Sequence, residues 1–207
     1  KHHYQCEYPS VEEEVERLMT LAQELEPFVC DTFSFLDEAK RTGKKILYEG
    51  AQGVLLDIDY GSYPFVTSSS TSYAGIYSGA GLPGGNVEEV LGITKAYTTR
   101  VGEGPFPTEL FDQVGIDIQT KGGEFGATTG RKRRCGWLDL PLLKYAVKCS
   151  NLTSIALTKL DILSEMGPLK ICTGYEYEGK VIDCSYPGID LSKGKPILKE
   201  VPGFNDD

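Results

Sequence analysis

Thr153-Ser154-Ile155-Ala156-Leu157-Thr158-Lys159-Leu160-Asp161 sets the fold class of this chain. Its first five residues, centred on the apolar Ile155, Ala156 and Leu157, read as a buried strand, and polar residues follow at the carboxyl end. Ile46-Leu47-Tyr48 reads the same way and runs into Glu49-Gly50-Ala51-Gln52-Gly53, a glycine-rich loop. Open α/β sheets bind ligands at the carboxyl ends of their strands, so both loops are candidate site segments. Helices fill the intervals. Ser10 and Glu13 make a capping box ahead of Val11, Val15, Leu18, Ala22 and Leu25 at helical spacing. Pro27 interrupts that helix, and a second is expected over 28–40, ended by Gly43. Pro141 begins another, carrying Leu142, Leu143, Tyr145, Ala146 and Val147. This alternation predicts an α/β architecture.

The remaining segments are read with less periodicity. Residues 60–86 are dense in Gly, Ser, Thr, Tyr and Pro and predict loop. Asn86 with Glu89 repeats the capping pattern and predicts a short helix over 87–91. Residues 94–101 alternate as a strand, Pro105 and Pro107 bracket a loop, and 170–184 read as a hairpin turning at Gly179. No internal repeat or low-complexity tract is present.

Composition narrows the function classes. The 207 residues include 8 Phe, 12 Tyr and 1 Trp, enough apolar area to argue against disorder. A formal net charge of −9 argues against a general nucleic-acid binder, so any anion site is local. Cys6, Cys30, Cys135, Cys149, Cys172 and Cys184 form no CxxC pair, and the histidines, His2 and His3, offer no zinc spacing with them. Reduced thiols in a cytoplasmic protein are expected. No apolar run nears the roughly 20 residues that span a bilayer, so no membrane partner is expected.

Against this acidic background stands Gly126-Ala127-Thr128-Thr129-Gly130-Arg131-Lys132-Arg133-Arg134. Glycines admit close approach of backbone N–H groups, threonine hydroxyls donate or accept, and guanidinium forks match carboxylate and phosphate oxygens in pairs. The segment fits a mobile clamp for an anionic metabolite; a solvated basic loop or a nuclear-localisation run fits the composition too. Thr158-Lys159-Leu160-Asp161 has the [NT]-K-x-D form that reads guanine: one carboxylate accepts from N1–H and the exocyclic amine, a donor pair adenine lacks. An ordinary surface Lys and Asp after a strand is the alternative. Gln52 suits a purine edge or ribose and Thr67 a phosphate, or each satisfies its own loop. Gly79-Ala80-Gly81-Leu82-Pro83-Gly84 matches G-x-G-x-x-G, but no strand leads into it and Pro83 sits in the turn, so it is rejected as a dinucleotide fingerprint. The sequence holds no G-x-x-x-x-G-K-[ST] phosphate loop.

Taken together, the segments resemble the adenylosuccinate synthetase family. The resemblance rests on Tyr48-Glu49-Gly50-Ala51-Gln52-Gly53, Leu55-Leu56-Asp57-Ile58-Asp59 and Tyr63-Pro64-Phe65-Val66-Thr67-Ser68. It continues through Thr99-Arg100-Val101-Gly102, Gly104-Pro105-Phe106-Pro107-Thr108-Glu109, the 126–134 run, Gly136-Trp137-Leu138-Asp139 and Thr158-Lys159-Leu160-Asp161. It implies part of a P-loop-NTPase-like domain with a mainly parallel central sheet, residues 1–207 forming one incomplete domain. It implies the GTP-dependent joining of IMP to L-aspartate through a 6-phosphoryl-IMP intermediate, with Mg²⁺, in a cytoplasmic homodimer serving AMP biosynthesis. Gln52, Thr67, Val101 and Arg131 would contact IMP. Ala127, Thr128, Thr129, Gly130, Arg131, Lys132 and Arg133 would bind aspartate. Arg133, Lys159, Leu160 and Asp161 would bind GTP. The family's phosphate loop, catalytic Asp and catalytic His match nothing here, which implies an interior fragment that is inactive alone, with its metal ligands elsewhere and apolar surface exposed. A GTP- or IMP-binding module without catalysis is the alternative.

Overall fold

The computed structural model describes residues 8–81, 87–127, 130–184 and 188–205. The chain divides into two compact units, residues 1–47 with 80–82, and residues 48–79 with 83–207. In the first unit, α1 (Val11–Leu25) opens on the expected capping box: Ser10 Oγ accepts from the Glu13 N–H, and Glu13 accepts from the Ser10 N–H. A 3₁₀ turn at Glu26–Phe28, with Pro27 inside it, ends α1. Asp31 caps α2 (Thr32–Arg41) by accepting from the Ser34 N–H. Neither helix has a buried residue, and Val11, Val15, Leu18 and Leu25 stay exposed.

The second unit holds two sheets. β1 (Leu91–Lys95) pairs in parallel with β4 (Ser154–Thr158), Leu91 opposite Ser154 and Lys95 opposite Thr158. This is the parallel pairing that α/β class predicts. The other sheet is mixed and centres on β5 (Leu169–Tyr177). β7 (Lys195–Val201) runs antiparallel along one edge of β5, broken by a bulge between Cys172 and Gly174. The other edge is shared by β3 (Arg134–Asp139), parallel at Ile171 and Cys172, and by β6 (Lys180–Ile182), antiparallel at 175–177. β2 (Tyr97–Arg100) completes the sheet antiparallel to β3. The hairpin at 170–184 forms as predicted; Glu178 and Gly179 both take positive φ (48° and 76°), the geometry of a tight primed turn.

Helices pack on this mixed sheet. α4 (Gln113–Lys121) and the turn at Asp161–Leu163 close a core of Tyr97, Ile118, Cys135, Trp137, Leu163 and Leu169. α5 (Leu140–Cys149), with Pro141 in its first turn, covers a second core of Leu142, Cys172, Tyr175 and Leu191. Asp139, almost wholly buried, caps α5 through the Leu142 N–H (3.1 Å) and accepts from the Tyr175 hydroxyl (2.6 Å). Burial pushes its carboxyl up to about 6 against those two donors. A short helix, α3 (Gly75–Ala80), lies within the segment read as loop.

Four expectations change. Residues 46–48 form no strand: no chain pairs with them among the described residues, and Leu47 is exposed. Residues 87–90 are irregular rather than helical and lead directly into β1, with Asn86 outside the described residues. Residues 94–101 are two strands, not one, because the chain leaves the parallel sheet at Ala96 and enters the mixed sheet at Tyr97. β4 is only partly buried, with Ile155 and Leu157 exposed.

Candidate functional site

Asp57 organises the loop that carries Gln52 and Thr67. Its carboxylate accepts from the N–H groups of Asp59 (3.0 Å), Tyr60 (3.0 Å), Thr71 (2.8 Å) and Ser72 (3.0 Å). Burial raises its pKa, but these backbone donors outweigh burial and hold it below the ordinary carboxylate range. Folded this way, the loop brings Gln52 Nε2 to 3.3 Å from Thr67 Oγ1, while Ser69 Oγ donates to Gln52 Oε1 at 3.4 Å. Two residues read separately from the sequence are thus neighbours. Arg100, at the end of β2, donates to Ser62 Oγ (2.8 Å) and to the Phe65 carbonyl (3.3 Å). It ties this loop to the strand end where Val101 lies exposed.

The basic run has a different anatomy at its two ends. Thr128 and Thr129 lie outside the described residues; Ala127, Gly130, Arg131 and Lys132 are exposed. The neck below them is a small antiparallel ladder: Phe125 bridges Lys132, the Gly126 N–H donates to the Arg131 carbonyl (2.8 Å), and the Arg133 N–H to the Glu124 carbonyl (2.9 Å). At its base sits Glu124, whose side chain is 1% exposed. Lys95 Nζ donates to both of its oxygens at 2.7 Å, the Tyr97 hydroxyl at 2.7 Å and Arg133 Nη1 at 2.9 Å. Burial pushes this carboxyl up, but the three donors outweigh burial and hold it below the ordinary carboxylate range. Arg134 is a fold residue: it pairs with Glu109 and donates to the carbonyls of Gly102 and Gly104, beside the Phe106 ring.

Lys159, Leu160 and Asp161 follow β4 as expected and are exposed. Lys159 Nζ donates to the Gly122 carbonyl (3.0 Å), two residues from Glu124. The 158–161 segment and the neck of the basic run therefore meet at one turn. Gln52 and Lys159 share a second property: both take left-handed backbone angles, φ 66° and 61°, which cost a non-glycine residue about 1 kcal/mol.

Sequence reading gave no role to Glu124, Lys95 or Arg100, though Arg100 lies in a segment that carries the family resemblance. Gly-Gly-Glu-Phe-Gly before a cationic run carried a signal: a lone carboxylate beside several cations is a candidate internal partner for one of them. Two of its three partners lie 27 and 29 positions away, beyond any local pattern. The arrangement offers an amide and hydroxyl pair at Gln52 and Thr67, exposed cations at Arg131 and Lys132 above an anchored neck, and an exposed carboxylate at Asp161. Among the described residues no group of three or more His, Cys, Asp or Glu could hold a metal ion, and no helix is long and apolar enough to cross a membrane.

Comparison with known proteins agrees with these segments. A family model described as adenylosuccinate synthetase matches residues 1–207. Adenylosuccinate synthetase of Francisella philomiragia is 69% identical over 204 residues, covering 99% of this chain and 48% of that protein. The Francisella tularensis protein of the same name is 66% identical over the same span. A structure of fully ligated adenylosuccinate synthetase from Plasmodium falciparum superposes with a TM-score of 0.90 at 38% identity, over 97% of this chain and 48% of that one. A cyanophage succinoaminodeoxyadenylate synthetase shares the fold more distantly (TM-score 0.50, 23% identity, 62% of this chain and 39% of that one). The chain spans about half the length of the curated relatives it matches.

Proposed function

The chain belongs to the adenylosuccinate synthetase family, and on that premise we propose that it is the substrate-reading part of a GTP-dependent ligase joining IMP to L-aspartate. In the first step the γ-phosphoryl of GTP passes to the 6-oxygen of IMP as the base gives up its N1 proton, leaving GDP and turning a poor leaving group into a good one. In the second, the aspartate amine forms a bond to C6 and loses a proton, the C6–O bond breaks, and phosphate departs. Adenylosuccinate results. Gln52, Thr67, Val101 and Arg131 are proposed to hold IMP, and 127–133 to hold aspartate by its carboxylates. Arg133, Lys159, Leu160 and Asp161 are proposed to hold GTP.

The observation that supports this most is the Gly122–Glu124 turn, where Lys159 and Arg133 are both tied down. A base reader and an anion clamp sharing one turn suit a reaction that needs GTP and aspartate in the same site. Mg²⁺ enters the proposal only as counter-ion to the GTP phosphates; the described residues offer it no cluster, and no step is assigned to it. The homodimer, cytoplasmic location and place in AMP biosynthesis belong to the same proposal.

The test is a chimera in which these 207 residues replace the matching half of the Francisella philomiragia enzyme. It is expected to form adenylosuccinate from IMP, GTP and aspartate, whereas the isolated chain is not. A folded chimera without turnover would refute the proposal. Turnover by the isolated chain would refute the assignment of catalytic groups elsewhere.

A further inference from the structure

We propose that Glu124 is a positioning residue that tethers Arg133, so that this guanidinium meets an acidic substrate from a fixed base. The proposal rests on the reading of residues 127–133 given above. Glu124 lies outside every segment matched to ligand contacts, yet it is the most buried carboxylate beside the basic run. Its three donors come from β1 (Lys95), β2 (Tyr97) and the neck itself (Arg133). The first two fix the carboxylate to strands of both sheets. The third holds Arg133 to that anchor, reinforced by the Arg133 N–H on the Glu124 carbonyl and by Gln119 Nε2 on the Arg133 carbonyl (2.6 Å).

The tether leaves the cation usable. A guanidinium has five N–H donors, and the bond to Glu124 is made at Nη1, so other donors remain to meet an incoming carboxylate or phosphate. One buried carboxylate against Lys95 and Arg133 leaves one net positive charge at the neck. An arginine already held in place loses less side-chain freedom when it binds, and that lowers the cost of engagement. A purely structural ion pair would not require its cation to sit at the base of an exposed loop.

Two measurements test this. In the isolated chain, trypsin is expected to cut after Arg131 and Lys132 but slowly after Arg133. Glu124→Gln is expected to speed the Arg133 cut about tenfold, in line with loss of one charge-assisted bond, with cleavage after Lys44 unchanged. In the chimera, the same variant is expected to raise the aspartate KM about tenfold, with the IMP KM within about twofold and kcat at saturating aspartate largely kept. An unchanged Arg133 cut overturns the tether. A loosened neck with an unmoved aspartate KM overturns the reading of the loop on which the proposal rests. Should Glu124→Gln cleave everywhere through misfolding, Tyr97→Phe removes one donor to Glu124 with little change in shape. It is expected to move the Arg133 cut and the aspartate KM in the same direction by a smaller factor, and an unmoved pair of readouts overturns the proposal.

Discussion

Asp139 and Asp161 show how differently one residue type behaves in this molecule. Asp139 is buried, and its pKa rises from 3.8 to about 6 because burial disfavours the charge. A carboxyl raised on folding binds more protons in the native state than in the unfolded one. Its contribution is therefore most favourable below pH 4 and is lost as pH rises through 6, a difference on the order of 3 kcal/mol. Asp139→Asn removes this dependence. The stability of the parent relative to the variant is expected to rise when melts are taken at pH 4.5 instead of 7.5; a gap independent of pH would count against the burial argument. Asp161 is exposed, and the proposed function sets it against a base edge. Asp161→Asn in the chimera is expected to relax the preference for GTP over xanthosine triphosphate, because an amide cannot accept from both guanine donors; an unaltered preference would argue that another group reads the base. Residue type and spacing singled out Gln52, Thr67, Arg131 and Asp161 as candidates, and the structure brings Gln52 beside Thr67. Glu124 was not singled out, because its role comes from partners brought in by two sheets.

At the scale of elements, β3 shows how tightly the strand behind the basic run is packed. A Cβ added at Gly136 would overlap the Thr108 carbonyl oxygen, a backbone atom that cannot swing aside. Gly136→Ala is expected to cost about 1–3 kcal/mol in denaturant unfolding and to push the 108–109 segment off β3; a change under 0.5 kcal/mol would mean that this segment moves aside easily. Elements with strong local signals were legible: the capping box of α1, the Pro141 start of α5, the primed turn between β5 and β6. Elements without them were not. α4 has Gly115 within it and a plain Asp112 cap, β3 is only six residues, and the switch between sheets at Ala96 leaves the alternation of 94–101 undisturbed. The absent strand at 46–48 teaches the complementary lesson. Apolar sequence proposes a strand, but only a hydrogen-bonding neighbour makes one.

For the molecule as a whole, the parallel sheet is the telling part. In the β1–β4 register, Leu91 and Ile93 point to one face and Ile155 and Leu157 to the other, and all four are exposed. Parallel sheets are ordinarily covered on both faces, so this pair presents aliphatic surface twice over. The isolated chain is expected to bind an apolar dye such as ANS and to self-associate at micromolar concentration. Ile93→Thr with Leu157→Thr is expected to lower both without loss of far-UV circular dichroism; undiminished dye binding would place the sticky surface on α1 and α2 instead. Gln52 and Lys159 carry a last consequence, one that concerns lineage more than structure. Both hold left-handed backbone angles that glycine would occupy at no cost. A library of the chimera sorted only for survival in heat, with no demand for turnover, is expected to drift toward glycine at 52 and 159, while one sorted for the proposed ligase activity is expected to keep both side chains. The two positions would then serve as a record of which pressure the gene had lived under.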